Sequence, residues 1–362
     1  MEFRSYSHME NEYKILKTEK IKEILLDNSL EFVALEKIHG TNFSFITDGT
    51  DVRCCRRSDI LKSDESFYNW QNTLNKHKLK IIKLFESIKE KLDLDISQIQ
   101  LYGELYGGYY PGTDKLDGHK LIQKGIYYSN SNEFAAFDLK YIIKSDSGNL
   151  NNLDNLNNLD NLSEKSTNSN TYARYLDWEL FEQILTDLSI PIVPVIKKDK
   201  WNEISKLKPQ FESEVYKLHG LPKIQNNLAE GFVIKPVKEI YLKKGQQRLI
   251  WKFKNPSFSE IIKSNSENNS RLAKEIVPPN PIITKLAGYI CDNRYDNVVS
   301  KVIDNTPIDK VVELFYSDVW IDFTDDLILD NIDLTDTDKK ECEKKLRGFA
   351  NKFVRQRYFV KK

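Results

Sequence analysis

The chain has 362 residues, enough for two domains and a sizeable core. Its 54 basic and 54 acidic residues cancel to a formal net charge of +0, so no global field marks a nucleic-acid binder and any electrostatic footprint must be local. No apolar run approaches the ~20 residues needed to cross a bilayer, the opening MEFRSYSHMENEYK lacks the apolar centre of a signal peptide, and Cys54, Cys55, Cys291 and Cys342 show neither zinc-type spacing nor a disulfide pattern, so the expectation is a reduced, intracellular protein, cytoplasmic by default and with no membrane contact.

The stretch EFVALEKIHGTN (31–42) begins as a strand and ends in a glycine that lets the chain turn. Residues 64–92 carry Leu74, Ile81, Ile82, Phe85, Ile88 and Leu92 at helical spacing among lysines and glutamates, which predicts a helix. QIQLYGELYGGYYPG (98–112) reads as a strand running into a glycine-rich turn, and EFAAFDLKYII (133–143) as another strand. LNNLDNLNNLDNL (150–162) places leucine at every third position, a period of neither helix nor strand; residues 144–171 are expected to form a solvated insertion. Its asparagine content suggests an AT-rich genome, viral or protist. EGFVIKP (230–236) and RLIWKFKNP (248–256) read as strands that stop at proline. Beyond a boundary near residue 258 the texture changes to helices and charge blocks. Residues 317–338 hold eight acids and no Lys or Arg, and residues 339–362 hold ten Lys or Arg against two acids. Cys342, Leu346, Phe349, Ala350 and Phe353 give that last segment an apolar stripe, and Phe359 lies near its end. Its basic face suits either solvent or a phosphate backbone.

Single charges on these strands are ordinary, and a lone strand-end lysine such as Lys37 is usually just exposed. Their number is the signal. Lys252 and Lys254 are two apart and share one strand face, with Trp251 and Phe253 on the other. Arg57 lies in VRCCRRSD, Glu104 between Tyr102 and Tyr106, and Glu230 at the head of a strand. A cavity with several cations and two carboxylates suits a polyphosphate and its divalent metal. A free lysine amine is protonated at neutral pH and cannot attack. Neighbouring cations and desolvation favour the uncharged amine, so Lys252, Lys254 and a metal are expected to ready Lys37 for attack on a phosphorus.

In order, EKIHGTN, CRRSD, LYGELYGG, FAAFDL, AEGFVIKP and WKFKNPSF resemble the nucleotidyltransferase motifs of polynucleotide ligases and capping enzymes. Within that superfamily they look most like the RNA ligase 2 family, which includes phage ligases that seal nicked duplex RNA and the trypanosome RNA-editing ligases. His39 stands where DNA ligases and capping enzymes carry aspartate, Thr41 and Asn42 follow Gly40 directly, and the start FRSYSHMENEY is similar too. The likeness spans residues 1 to about 258. It implies an α+β ligase-type nucleotidyltransferase domain with antiparallel sheets (1–258), followed by a mostly helical C-terminal domain (259–362) expected to contact RNA.

The resemblance also implies roles. Lys37 would be the nucleophile that becomes adenylylated. Phe137 would stack on one adenine face and Val233 pack on the other. Glu10 and the backbone near Glu36 would supply base-specific hydrogen bonds. Glu104 would meet ribose or metal-bound water, and Glu230 would help hold Mg2+ or Mn2+. Asn42, Arg57, Lys252 and Lys254 would grip the phosphates of ATP, and His39 would serve the first chemical step. The implied function is ATP-dependent joining of RNA 3′-hydroxyl and 5′-phosphate ends through lysyl-AMP and RNA-adenylate, with nicked duplex RNA as the partner; no protein partner can be read. Rivals are a capping guanylyltransferase, a DNA ligase, and a non-catalytic RNA-binding relative. His39 and the lack of an evident oligonucleotide-binding barrel after WKFKNP oppose the first two, and the intact set of Lys37, Glu104, Glu230, Lys252 and Lys254 opposes the third.

Overall fold

The structure, a computed structural model, describes the whole chain except residues 8, 12–17, 145–170, 243–246, 260–279, 303–304, 331 and 361–362. The asparagine- and leucine-rich insertion therefore lies outside the described residues, as does the side chain of Phe359. The chain divides into two compact units, Met1–Asn255 and Pro256–Lys362.

The first unit contains β1 (Glu10–Asn11), β2 (Glu31–Glu36), β3 (Thr41–Thr47), β4 (Val52–Arg56), β5 (Ile96–Gly107), β6 (Asn132–Lys144), β7 (Thr171–Tyr175), β8 (Val195–Lys200), β9 (Gly231–Pro236), β10 (Tyr241–Leu242), β11 (Gln247–Arg248) and β12 (Trp251–Lys254). One sheet runs in the order β1-β12-β9-β2-β8, a second in the order β4-β3-β5-β6-β7, and β10 pairs with β11. Apart from the short parallel β1–β12 contact, the pairings are antiparallel.

Position in the sheet follows composition. β2, reading EFVALE, is buried from Phe32 to Glu36 and lies inside the first sheet between β9 and β8. β8, reading VIKKDK, is mostly open and takes the edge, where lysines discourage pairing with another chain. Phe32, Ala34, Phe232, Ile234 and Trp251 bury one face of that sheet against Ile21 and Leu25 of α1 (Glu19–Leu26). Phe253 packs on the same cluster, stacked on Phe232 with centroids 4.8 Å apart, so Trp251 and Phe253 share a face as their spacing predicts.

In the second sheet Phe43, Phe45 and Phe134 meet edge to face, and His77 of α2 (Trp70–Leu92) stands against the last two. This helix begins at residue 70, not at 64. Tyr68 and Asn69 have φ of 45° and 58°, a left-handed backbone that a right-handed helix cannot include. α3 (Trp178–Asp187), the short α4 (Trp201–Ile204) and a 3-10 helix at Val215–His219 are the other helices described in this unit.

The second unit is helical: α5 (Pro281–Ala287), α6 (Asp292–Val299), α7 (Ile308–Leu329) and α8 (Asp336–Val360). The stripe read on α8 is real, with Cys342, Leu346, Ala350 and Phe353 buried with Phe315, Val319 and Phe323 of α7. Part of the acidic block ties helices together. Buried Arg294 donates to Asp322 at 2.9 Å and to Asp318, Tyr289 donates to Asp326, and Lys285 to Asp330. Part of the basic tail is likewise engaged within the unit, Arg355 with Asp309 and Arg357 with Asp292.

Candidate active site

Lys37 follows β2 in the first sheet, and β3 opens the second sheet at Thr41. The turn 37–40 is therefore the crossing between the sheets. Gly40 is needed there, because a Cβ would come within 2.3 Å of the Leu105 carbonyl oxygen and 2.8 Å of Glu104 Cγ. Gly231, across the first sheet, has φ +143 and would place a Cβ 1.9 Å from the Phe253 carbonyl oxygen. Its own carbonyl accepts from the Lys37 N–H at 2.9 Å.

Three of the implied residues converge on the carboxylate of a fourth, Glu230. Lys37 Nζ donates to Glu230 Oε2 at 2.7 Å, and His39 Nδ1 lies 3.2 Å from the same oxygen. Lys254 Nζ lies 3.5 Å from Oε1. Burial alone would raise the Glu230 carboxyl, but Lys37, Lys254 and His39 hold it well below the ordinary range. This changes the electrostatic picture drawn from the sequence. The expected neighbours of Lys37 were cations that expel its proton. The closest charged partner is a carboxylate, and Lys254 faces that carboxylate too.

Glu104 sits on β5 directly across from Asn42 of β3. Burial, reinforced by the negative charge of Glu230, pushes its carboxyl up to about 8 against the opposing pull of Lys37, the Gly40 N–H and Arg57. Two carboxylates thus share one enclosure at a mutual electrostatic cost, which a divalent cation would relieve. The described residues contain no group of three or more acidic, His or Cys side chains poised around a common point. Two carboxylates suit a hard cation whose remaining ligands are phosphate oxygens and water, the usual manner of Mg2+. Arg57 lies just beyond β4 and is exposed, outside the strand in which its motif was read. Its neighbour Arg56 is the structural one, paired with Asp59 at 2.6 Å and Glu65 at 3.5 Å.

Phe137 is presented by a defect in the sheet. Tyr102 pairs with Asp138 and Gly103 with Ala136, so Phe137 is the extra residue of a β-bulge in β6. Bulges re-aim a side chain, and Phe137 is partly exposed while residues 134–136 and 138–140 are buried. Tyr6 supports it edge-on, with centroids 5.0 Å apart. Val233 is the partly exposed residue of β9, in register with Leu35 and Lys252. Glu10 pairs beside Trp251, and Asn11 beside Lys252. The Glu36 side chain turns away from Lys37. It is 3% exposed, sits in register with Phe232, and accepts the Glu214 N–H at 3.1 Å.

Sequence reasoning missed a buried ion network beside Phe137. Asp138 accepts from Lys235 at 2.9 Å, from Arg248 at 2.8 Å and from the Tyr6 hydroxyl at 2.9 Å. Arg248 also pairs with Glu239 at 2.6 Å and covers the Tyr175 ring at 3.5 Å. Burial opposes ionisation of Asp138, but Arg248 and Lys235 prevail and lower its carboxyl. Asp138 and Lys235 had the same signal as Glu104, a charge within an apolar strand. Tyr6, Glu239 and Arg248 had none.

The two units also have recognisable relatives. The RNA ligase family model matches residues 30–254, and the T4 RNA ligase 2 C-terminal model matches residues 279–352. The chain therefore belongs to the RNA ligase family, in the RNA ligase 2 branch. Mitochondrial RNA-editing ligase 1 of Trypanosoma brucei brucei is 31% identical over 135 residues, 31% of this chain and 29% of the relative. Mitochondrial RNA-editing ligase 2 of the same species is 25% identical over 350 residues, 82% of this chain and 77% of the relative. A point mutant of Naegleria gruberi RNA ligase solved with ATP and Mn has a TM-score of 0.41 at 14% identity, over 70% of this chain and 57% of that one, a likeness too loose to argue from. The chain spans less than a third of RNA-editing ligase 1, the first of these relatives.

Proposed function

We propose that this chain is an ATP-dependent RNA ligase with Lys37 as its nucleophile. The observation that carries the reading is the convergence of Lys37, His39 and Lys254 on Glu230 at the crossing between the two sheets. Family membership supplies the class of reaction.

In the first step the Nζ lone pair forms a bond to the α-phosphorus of ATP, the bond to the bridging oxygen breaks, and pyrophosphate leaves with that electron pair. Nζ must shed a proton before it attacks; Glu230 Oε2 holds the amine in place by its hydrogen bond, and the partly exposed amine releases the proton to solvent. Lys252 and Lys254, from one strand face, and Arg57 supply positive charge for the phosphates. Phe137 and Val233 offer apolar surfaces to the two faces of adenine. Glu104 and Glu230 are the groups that would hold Mg2+ or Mn2+, which when bound neutralises charge on the phosphate oxygens. In the second step an oxygen of an RNA 5′-phosphate attacks the lysyl-AMP phosphorus and returns the amine. In the third, an RNA 3′-hydroxyl attacks the activated 5′-phosphorus, forms the phosphodiester and releases AMP. A nick in duplex RNA presents both ends together, in an A-form shape readable through its 2′-hydroxyls.

The test is incubation with α-labelled ATP or GTP and Mg2+, followed by sealing of nicked RNA–RNA, RNA–DNA and DNA–DNA duplexes. The expected results are a covalent adduct from ATP, its loss in Lys37→Ala, and sealing of nicked RNA. Label from GTP alone, or an adduct that persists in Lys37→Ala, defeats the reading.

A further inference from the structure

The turn 37–40 is held by more than its own two strands. The His39 N–H donates to the Tyr128 hydroxyl at 2.8 Å, and Gln123 Nε2 donates to the Gly40 carbonyl at 3.0 Å. The Gly40 N–H donates to Glu104. Tyr128 and Gln123 are 2% and 5% exposed, and both come from residues 108–131 between β5 and β6, a segment with neither helix nor strand. At about two dozen residues it is far longer than an ordinary connection, and segments of that kind are usually functional when ordered.

The same segment grips the chain just ahead of β9, where Glu230 stands. Asn227 Oδ1 accepts the Tyr127 N–H at 2.9 Å, and Asn227 Nδ2 donates to the Tyr127 carbonyl at 2.6 Å. Asn227 is buried and lies three residues before Glu230. One loop therefore fixes both the turn bearing Lys37 and His39 and the approach to their common partner. That matters because Lys37 and His39 share a single oxygen of Glu230. A small shift of the turn would exchange one contact for the other.

We propose that Tyr128, Gln123 and Asn227 are positioning residues for the first chemical step, acting through the backbone of the turn 37–40 and not on the nucleotide. This rests on the reading of Lys37 as the adenylylated residue. None of the three is assigned contact with ATP, so their loss should slow adduct formation at saturating ATP while leaving nucleotide binding intact.

The experiment is single-turnover formation of the protein–AMP adduct by the full chain over a range of ATP concentrations, with melting temperature recorded for each variant. Tyr128→Phe keeps the ring and removes only the acceptor for the His39 N–H. Gln123→Glu keeps the shape and replaces the donor facing the Gly40 carbonyl. Both should lower the maximal rate roughly tenfold or more, with the ATP concentration for half-maximal rate within about twofold of wild type. Tyr109→Phe is the control, since this hydroxyl on the same loop has no hydrogen bond among the described residues and its ring stacks edge-on to Tyr127; it should match wild type. If one variant does not fold, the other decides. Variants that melt lower but react at the wild-type rate once folded, or that raise the half-saturating ATP instead of lowering the rate, overturn the proposal. A wild type that forms no adduct overturns the ligase reading beneath it.

Discussion

Glu36 offers a measurable test of the electrostatics around the strand that leads to Lys37. Its carboxyl is buried, Oε2 accepts from Glu214 N–H and from Ser213, and Oε1 has no hydrogen-bond partner among the described residues. Burial, only partly offset by those two bonds and aggravated by the Glu214 charge, raises it from 4.5 to about 7. Between those values the folded chain binds a proton that the unfolded chain has released, so stability falls as pH rises from about 4.5 to 7 and stays lowered above that. The difference between 4.5 and about 7 corresponds to ~3 kcal/mol at full development. Glu36→Gln is neutral throughout and lacks this loss. The amide adds a donor that lacks an acceptor, a cost of ~1–3 kcal/mol that does not change with pH, so the informative quantity is a difference of differences. Between pH 5 and 8.5 the variant should gain ~2–3 kcal/mol on wild type, or roughly 5–10 °C in the melting temperature of a unit this size. Thermal melts of both proteins at the two pH values measure it. Parallel pH dependence in the two proteins would falsify the burial argument.

Two further substitutions probe Phe137 and its support. Phe137→Ala should weaken ATP binding by ~1–3 kcal/mol, about 5- to 150-fold in Kd, with little effect on melting because the ring is partly exposed in a bulge; equilibrium binding measures this, and an unchanged Kd would return Phe137 to a packing role. Asp138→Asn should destabilise the first unit by ~3–5 kcal/mol, because it leaves Lys235 and Arg248 buried with only part of their compensating charge. A change below ~1 kcal/mol in denaturant melts would show that Glu239 alone suffices for both cations.

Local pattern carried much of this protein. Alternation placed Trp251 and Phe253 opposite Lys252 and Lys254, because successive side chains on a strand must point to opposite faces. The sequence marked β2 as a strand, and helical spacing marked α2, although the two left-handed residues at its start were invisible to periodicity. The motifs located Lys37, Glu104 and Glu230 because charges within apolar strands require a reason to be buried. The helical character of residues after 258 was likewise visible in their spacing.

Tertiary structure decided what spacing cannot encode. The bulge that presents Phe137 depends on the register of β5 against β6. The carboxylate that meets Lys37 arrives from residue 230, just ahead of β9 and distant in sequence, so the sign of the nearest charge could not be read from the lysines in view. The loop contacts from Tyr128, Gln123 and Asn227 involve ordinary residues in a segment without periodicity, and the same is true of Tyr6 and Arg248 around Asp138. One-dimensional pattern reports which side chains an element will bury. Which oxygen a buried amine finds is settled only when separate elements close on one another.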